Sequence, residues 1–420
     1  MSGQVTAFTE KQREFINAVK RGGLRRLNIL DGSVSSGKTV ISALAWVMLL
    51  GGAPPEGNFL MTGKTLGTLK RNVLTPLEAM FGEKRVSCSL AAKEAKILGR
   101  RVFLEGAADA RAESKIRGMT LSAAYCDEIT LFPRDFFVML LSRLRAPGAL
   151  LIGTTNPAGP NHWLMTDYIA REGELSLRRF SFRLDDNTFL PPEYVENLKK
   201  EYSGAFYERF IEGKWALADG LVYSAFRPGF VVKKSEIPRV SRWWVGVDYG
   251  QSNATAFLLA GLGSDGRLYL ASEYYHSNRS ETKAPKSPAA YAKDFVAWVK
   301  GFFARRGERV PEELPIFYDP AALGFKTQLA EAGVRGLKKA DNDVLKGIQV
   351  VSAMYDRDLI RVCSDCVNFL KELHSYSWDA KAAAAGRDAP VKTEDHAQDA
   401  FRYLVMGGRA HWKGGLTAGD

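Results

Sequence analysis

Apolar residues in the first half of the chain fall into short runs that alternate with longer amphipathic or unbroken apolar stretches. Residues 26–31, 58–63, 101–106, 121–126 and 149–153 have strand length and composition. Residues 8–20, 40–50 and 66–80 have helical spacing, or continuous apolarity without Gly or Pro, as a buried helix would. This alternation predicts a parallel α/β sheet that continues to about Phe182. Residues 185–215 then read as helical, with Pro191-Pro192 as the start signal. From 216 to 241 the pattern becomes irregular, with Gly220, Pro228, Gly229 and Pro238, and predicts a linker. Beyond it, 243–250, 254–260 and 267–275 predict three antiparallel strands in a meander. A Ser/Lys/Pro-rich loop at 276–288, a helix at 289–304 and a strand at 315–318 follow. Helices and strands alternate to about Tyr376, residues 379–391 read as a hairpin, and a last helix begins near Glu394. The expected domains are therefore 1–215, a linker at 216–241, a second domain at 242–410 and a tail at 411–420.

The turn after the first strand carries specific chemistry. Gly32 to Thr39 fits G-x-x-x-x-G-K-[ST], with a strand before it and a helix after it. Glycines let the backbone wrap a phosphate, so Gly32, Ser33, Ser35, Ser36 and Gly37 would cradle ATP with inward-facing N–H groups. Lys38 would reach the β/γ-phosphates and Thr39 would ligate Mg²⁺. The strand 121–126 ends in Asp127-Glu128. Asp127 would hold Mg²⁺ with Thr39, directly or through water, and Glu128 would polarise the attacking water. Thr154-Thr-Asn-Pro157, at the end of another strand, would sit beside the γ-phosphate and could sense its loss; as sequence alone it is a strand-to-loop exit. Gln12, upstream of the loop, offers the donor and acceptor that adenine requires, or belongs to a plain amphipathic helix with Phe8 and Phe15 inward. Arg111, Lys115 and Arg117 supply an arginine finger or are solvated surface charges.

Composition narrows the class. A chain of 420 residues, 46% hydrophobic and 25% charged, has the make-up of a globular protein of two or three domains. It has no unbroken apolar run of about 18 residues, and no membrane partner is expected. The start Met1-Ser-Gly-Gln-Val-Thr6 lacks a basic-then-apolar layout, and four cysteines build no disulfide framework. Cys363-x-x-Cys366 reads as a strand end and helix start, since no second pair stands at zinc-finger spacing. The net charge of +11 and pI near 9.3 suggest a polyanionic partner.

In the second half, Asp248 lies inside the apolar run 243–250, Asp319 ends the strand 315–318, and Asp399 lies on the closing helix. Three strands, a crossover helix and a strand ending in Asp form a ribonuclease-H-like pattern, in which these carboxylates meet. Asp395 is one turn from Asp399, and His396 lies between them. Clustered carboxylates repel unless cations share them, and two Mg²⁺ or Mn²⁺ ions about 4 Å apart would serve phosphodiester hydrolysis.

Taken in order, Gly32-to-Thr39, Tyr125-Cys-Asp-Glu128, Thr154-Thr-Asn-Pro157, Gly246-Val-Asp-Tyr-Gly-Gln251, Tyr318-Asp-Pro-Ala321, Ala340-Asp-Asn342 and Glu394-Asp-His-Ala-Gln-Asp-Ala-Phe-Arg-Tyr403 resemble the large terminase subunit of tailed double-stranded DNA bacteriophages, in its PBSX-like branch. The resemblance covers about residues 8 to 408. It implies an N-terminal P-loop ATPase with a parallel sheet and a C-terminal ribonuclease-H-like endonuclease with a mixed sheet. It also implies a motor that moves double-stranded DNA into a procapsid and cuts concatemers, in the host cell cytoplasm. Family roles carry onto Lys38, Thr39, Asp127 and Glu128 for ATP and onto Asp248, Asp319 and Asp399 for cutting, with His396 near the metals. The implied partners are a small terminase subunit, a portal ring and further copies of the chain in a ring. Several terminases carry an Arg inside the phosphate loop where this chain has Ser33, Val34, Ser35 and Ser36, which shifts the finger toward Arg111 or Arg117. The readings from other classes are an ATP-dependent helicase or remodeler with a catalytically dead second domain, and a resolvase-type nuclease with a regulatory nucleotide site.

Overall fold

The computed structural model describes residues 8–53, 57–108, 111–250, 253–277, 286–410 and 412. The start at 1–6, Gln251, most of the 276–288 loop and most of the 411–420 tail lie outside the described residues. Contacts divide the chain into two units. One holds Met1–Val195, Gly204–Leu217 and Ala384–Arg387; the other holds Glu196–Ser203, Ala218–Ala383 and Asp388–Asp420. Among the described residues no helix is long and apolar enough to cross a membrane.

The first unit is built on eight strands: β1 (Leu27–Gly32), β2 (Phe59–Gly63), β3 (Val86–Ser89), β4 (Glu94–Ile97), β5 (Arg100–Gly106), β6 (Ala123–Cys126), β7 (Leu150–Thr155) and β8 (Leu177–Phe182). Their order is β3-β4-β5-β2-β6-β7-β1-β8. All neighbours from β5 to β8 pair in parallel, and β3 and β4 form an antiparallel hairpin at the edge. Covered on both faces, β1, β2 and β6 are buried at every position rather than at alternate ones. Register sets the site: Asp31 lies opposite both Thr155 and Ser181, and Cys126 lies opposite Gly153. The C-terminal ends of β1, β6 and β7 therefore line up along one edge, where ligands bind in such sheets. Helices α1 (Glu10–Lys20), α2 (Lys38–Gly52) and α3 (66–81) pack on this sheet around Phe15, Trp46, Phe59 and Tyr125. Within α3 a π turn interrupts the helix at Lys70–Leu74.

The second unit holds β9 (Val231–Val232), β10 (Val240–Asp248), β11 (Thr255–Gly263), β12 (Leu268–His276), β13 (Ile316–Tyr318), β14 (Leu337–Lys339) and β15 (Ile360–Cys363), in the order β14-β13-β10-β11-β12-β15-β9. The meander β10-β11-β12 is antiparallel, and β13, β14, β15 and β9 add in parallel, which makes the sheet mixed. Its main helices are α4 (Pro288–Arg305), α5 (Leu323–Glu331), α6 (Val344–Asp356), α7 (Val367–Ser375) and α8 (His396–Gly407). Helix α8 lies directly on β10. A Cβ at Gly246 would fall 2.0 Å from the Ala400 carbonyl oxygen, so only glycine permits this approach. Trp244 Nε1 donates to the Leu404 carbonyl at 2.9 Å across the same contact.

Three expectations are corrected. The single helix over 185–215 is two, Pro192–Lys200 and Gly204–Phe210, because Gly204 takes a left-handed conformation with φ 51° between them. The hairpin at 379–391 is a helical turn, Ala380–Ala384, whose first amides (Lys381 and Ala382) donate to Asp379 Oδ1. Only an isolated bridge joins Trp378 to Pro390, and the alanine run favours helix. The irregular stretch at 216–241 is not free chain: from Ala218 onward it belongs to the second unit, with Tyr223 and Phe230 buried and Val231–Val232 in the sheet.

Candidate functional site

In the first unit, the loop from Ser33 to Gly37 leaves β1 and turns into α2. Gly32 has φ 134°, and a Cβ there would meet the Phe182 carbonyl at 1.8 Å. Ser35 and Gly37 are left-handed, which curls the loop around its own amides. The outside of the loop is tied down. Ser33 N donates to Phe182 O and Val34 N to Phe210 O, each at 2.9 Å, and Ser33 Oγ donates to Ile211 O at 2.6 Å. Ser36 Oγ donates to Ser33 O at 2.8 Å. Asp31, fully buried, receives Arg179 through two bonds of 2.9 and 2.7 Å, and also Ser181 Oγ and Trp215 Nε1. A cavity of about 380 Å³ opens on the inner side, lined by Ser35, Lys38, Thr39, Glu128, Asn156 and Asn187 among others.

Lys38 is buried, and its ammonium donates to Gly32 O (3.0 Å), Ser33 O (2.5 Å), Ser36 Oγ (3.2 Å) and Asn156 Oδ1 (3.0 Å). Burial pulls its pKa down to about 8 against the pull of Glu128, Asp31 and Asp127. Asp127 directly follows β6 and is nearly buried; its Oδ1 accepts from Thr154 Oγ1 at 3.1 Å. Its Oδ2 faces Asn72 Nδ2 at 3.5 Å, a residue carried by the π turn of α3. Glu128 follows with φ 60°, a left-handed conformation that a β-carbon resists and that functional sites often hold. Its carboxylate is gripped by one residue: Asn156 Nδ2 donates to Oε1 at 3.1 Å and Asn156 N to Oε2 at 3.3 Å. Burial raises the pKa of both Asp127 and Glu128.

Asn156 thus bridges the lysine and the glutamate through the two ends of one amide. Asn187 Nδ2 donates to Ser35 O at 2.6 Å and Tyr194 OH stands 2.9 Å from Ser35 Oγ, on the outer rim of the loop. Nothing local in the sequence marks Asn187 or Tyr194 as part of the site. Gln12 is buried against the loop: Oε1 accepts from Thr9 N at 3.1 Å as part of the α1 capping box, and Nε2 reaches Gly37 O at 3.4 Å. Arg117 lies outside the cavity lining, with a largely exposed side chain paired to Glu113 at 2.6 Å.

In the second unit, Asp248 is the last residue of β10, and the register of β10 with β13 pairs Val247 with Tyr318, which brings Asp319 to the same end of the sheet. Asp248 is buried, and its Oδ2 lies 2.9 Å from His396 Nδ1. Burial pushes the Asp248 carboxyl up to about 6; His396 opposes this, and the charges of Asp399 and Asp319 add to it. The His396 ring is raised despite its burial, because Asp248 holds its proton. Asp399 accepts from Arg402 Nη2 at 2.5 Å and faces Lys392 at 3.4 Å, and Lys392 also lies 3.1 Å from Asp395. Asp319 Oδ1 accepts from Ala321 N at 2.9 Å in its own turn. Among the described residues no three His, Cys, Asp or Glu side chains close around one point as placed. The donor chemistry nevertheless fits a divalent cation: carboxylate oxygens from three elements whose charges reach one another, with Asp399 turned toward lysine and arginine.

Several known proteins are similar to this chain. The family model for the N-terminal part of the T4likevirus-type terminase large subunit matches residues 29–228. The large terminase of a thermophilic bacteriophage is 33% identical, with a TM-score of 0.83 over 95% of this chain and 98% of that one. The same phage protein in complex with ATP-γ-S gives a TM-score of 0.80 at the same identity and coverage. The large terminase subunit of Escherichia phage T5 is 23% identical over 221 residues, which are 50% of this chain and 47% of the T5 protein. The match thus spans about half the length of that relative.

Proposed function

We propose a two-centre motor for this chain, which belongs to the large terminase subunits of tailed bacteriophages: ATP hydrolysis in the first unit drives double-stranded DNA into a procapsid, and the second unit cuts concatemeric DNA. The observation that carries the reading is the pairing, on one polypeptide, of an Asn156-bridged Lys38 and Glu128 at a phosphate loop with three aspartates gathered at the end of a second sheet.

The capture of the thermophilic phage's large terminase with ATP-γ-S supports a nucleotide at the equivalent loop. Amides of Ser35 to Gly37 would receive the phosphates, since those of Ser33 and Val34 are spent on Phe182 O and Phe210 O, and Lys38 would exchange its carbonyl partners for the β/γ oxygens. Thr39 and Asp127 would hold Mg²⁺, which would neutralise phosphate charge. When Lys38 moves, Asn156 loses its acceptor role, and Glu128 is left to polarise water; its burial strengthens it as a base. Gln12, beside Gly37, and an arginine finger from Arg117 or Arg111, in cis or on a neighbouring subunit, complete the proposed nucleotide machinery.

At the second centre, Asp248, Asp319 and Asp399 would hold Mg²⁺ or Mn²⁺, with Asp395 and His396 beside them; the metal would supply an activated water and stabilise the leaving oxygen. Asp248 and Asp319 are carried by paired strands and Asp399 by α8, so the chain fixes them from three directions. His396 orients Asp248. A small terminase subunit, a portal ring, assembly into a ring of copies and action in the host cytoplasm belong to the same proposal.

Paired variants test the two centres separately. Glu128→Gln should bind ATP and lose turnover by roughly 10²-fold or more, the range of a general base. Lys38→Ala should abolish hydrolysis. Asp248→Asn should eliminate plasmid cutting in Mg²⁺ or Mn²⁺ while hydrolysing ATP as the unaltered chain does. Normal turnover by Glu128→Gln removes the role given to Glu128, and cutting by Asp248→Asn removes the nuclease reading.

A further inference from the structure

Helices α7 and α8 share an unusual construction at their N-termini. The residue at the cap of α7 is Cys366 and that of α8 is Asp395, and neither side chain caps its helix. Asp395 is the residue type expected to cap, yet its carboxylate faces Lys392 instead. Carboxylates far away in sequence supply the missing acceptors. For α7 the acceptor is Glu273 on β12: Oε1 accepts from the backbone N and side-chain Nδ2 of Asn368, and Oε2 from Phe369 N, all at 2.8 Å. For α8 the acceptor is Glu372 on α7 itself: Oε2 accepts from Ala397 N at 2.7 Å and Gln398 N at 3.2 Å. Tyr275, two residues along β12 from Glu273 and so on the same face, donates its hydroxyl to Glu372 Oε1 at 2.8 Å. Gln398 Nε2 returns a bond to Phe369 O at 2.9 Å, so the two helices are locked in both directions. Glu372 is only 2% exposed, which makes its bonds costly to break and their directions well defined.

We propose that Glu273 and Glu372 form a positioning relay in which strand β12 fixes α7, and α7 fixes the first turn of α8, so that His396 and Asp399 are held at the end of β10. The relay rests on the nuclease reading for its functional meaning, but its geometry does not depend on it. The amides that Glu372 holds belong to the two residues between His396 and Asp399, and shifting that turn moves both side chains together. The helix N-terminus also favours a negative charge at this point, so a carboxylate serves better than a neutral acceptor. With Glu372 in the capping role, the Asp395 carboxylate is left for Lys392.

Hydrogen exchange and metal titration of the full chain test this. Glu372→Ala should speed exchange of the Ala397, Gln398 and Asp399 amides. Glu273→Ala should speed exchange at Asn368 and Phe369 and, through α7, at Ala397 and Gln398 as well. Calorimetric titration with Mn²⁺ should show Glu372→Ala weakened by roughly 10- to 100-fold, as for other residues that support ligands, with Glu372→Gln recovering most of the loss. Val299→Ala, a core substitution on α4, should lower thermal stability without changing Mn²⁺ affinity. Exchange confined to Asn368 and Phe369 in Glu273→Ala overturns the relay. So does Mn²⁺ affinity in Glu372→Ala equal to that of the unaltered chain. An unaltered chain that takes up no Mn²⁺ defeats the nuclease reading instead, and the exchange pattern still decides the relay.

Discussion

Lys38 and Asp248 each carry a charge into a buried place, one at each of the two proposed centres. The Lys38 ammonium is surrounded by oxygens that compensate only part of its lost hydration, and its pKa falls from 10.5 to about 8. That shift corresponds to about 3 kcal/mol of strain on the folded state at neutral pH, as an order of magnitude. Between pH 8 and 10.5 the unfolded chain binds more protons than the folded one, so stability rises with pH across that window. Lys38→Met should therefore melt higher than the unaltered chain at about pH 7 without nucleotide, and its advantage should shrink toward about pH 10. A constant difference in melting temperature would refute this. Asp248 has the opposite sign: its carboxyl is raised from 3.8 to about 6, so metal-free stability is full below about pH 4 and falls as pH rises through 6. In EDTA, Asp248→Asn should remove that fall, and added Mn²⁺ should stabilise the unaltered chain far more than the variant.

Strand ends are the elements that organise both centres, and they are also what the sequence displays most openly. The apolar runs that lead into Gly32, Asp127 and Thr154 can be read directly, because burial on both faces removes the alternation that polar positions would impose. The β3–β4 hairpin is not legible in the same way, because its strands are four residues each, half-exposed and mixed with Ser and Lys. The same limit applies to side chains. Lys38, Glu128, Asp248 and Asp399 sit in local motifs, whereas Asn72, Asn187, Glu273, Glu372 and Lys392 act only through contacts that folding creates; Glu273 meets Asn368 across 95 positions. Gly32 shows how tightly an element junction is built. Its φ of 134° and the 1.8 Å approach to Phe182 O mean that Gly32→Ala must both strain the loop and part β1 from β8. A loss of at least about 3 kcal/mol is expected from the sum of backbone strain and steric displacement, read as a lower melting temperature together with lost ATP binding. Gly32→Ala with ordinary stability would mean that β8 yields more readily than its pairing implies.

At the scale of the molecule, the second unit begins earlier and ends later than its motifs suggest. The motifs lie between Gly246 and Tyr403, and from them alone the domain spans 242–410. Yet Val222 N donates to Tyr376 O at 2.9 Å, and Tyr223 packs on Tyr355 and Tyr376. Phe230 stacks on Tyr355, and Val231 pairs with Val362. At the other end Trp412 is 3% exposed, and its Nε1 donates to Val405 O. Tyr223, Phe230 and Trp412 are all lost from a 242–410 fragment. At about 1.5–3 kcal/mol for each large buried side chain, the loss totals roughly 5–9 kcal/mol, comparable with the whole stability of a typical domain at about 5–15 kcal/mol. A 218–420 fragment should therefore melt cooperatively, bind Mn²⁺ and cut plasmid DNA without ATP, since its chemistry needs only metal and water. The 242–410 fragment should be largely unfolded by circular dichroism and inactive. Equal stability and cutting by the two fragments would show that the aromatic cluster contributes little. A 218–420 fragment that folds but neither binds Mn²⁺ nor cuts would leave the three aspartates without the role proposed for them, and the second unit would then act by binding DNA rather than by cleaving it.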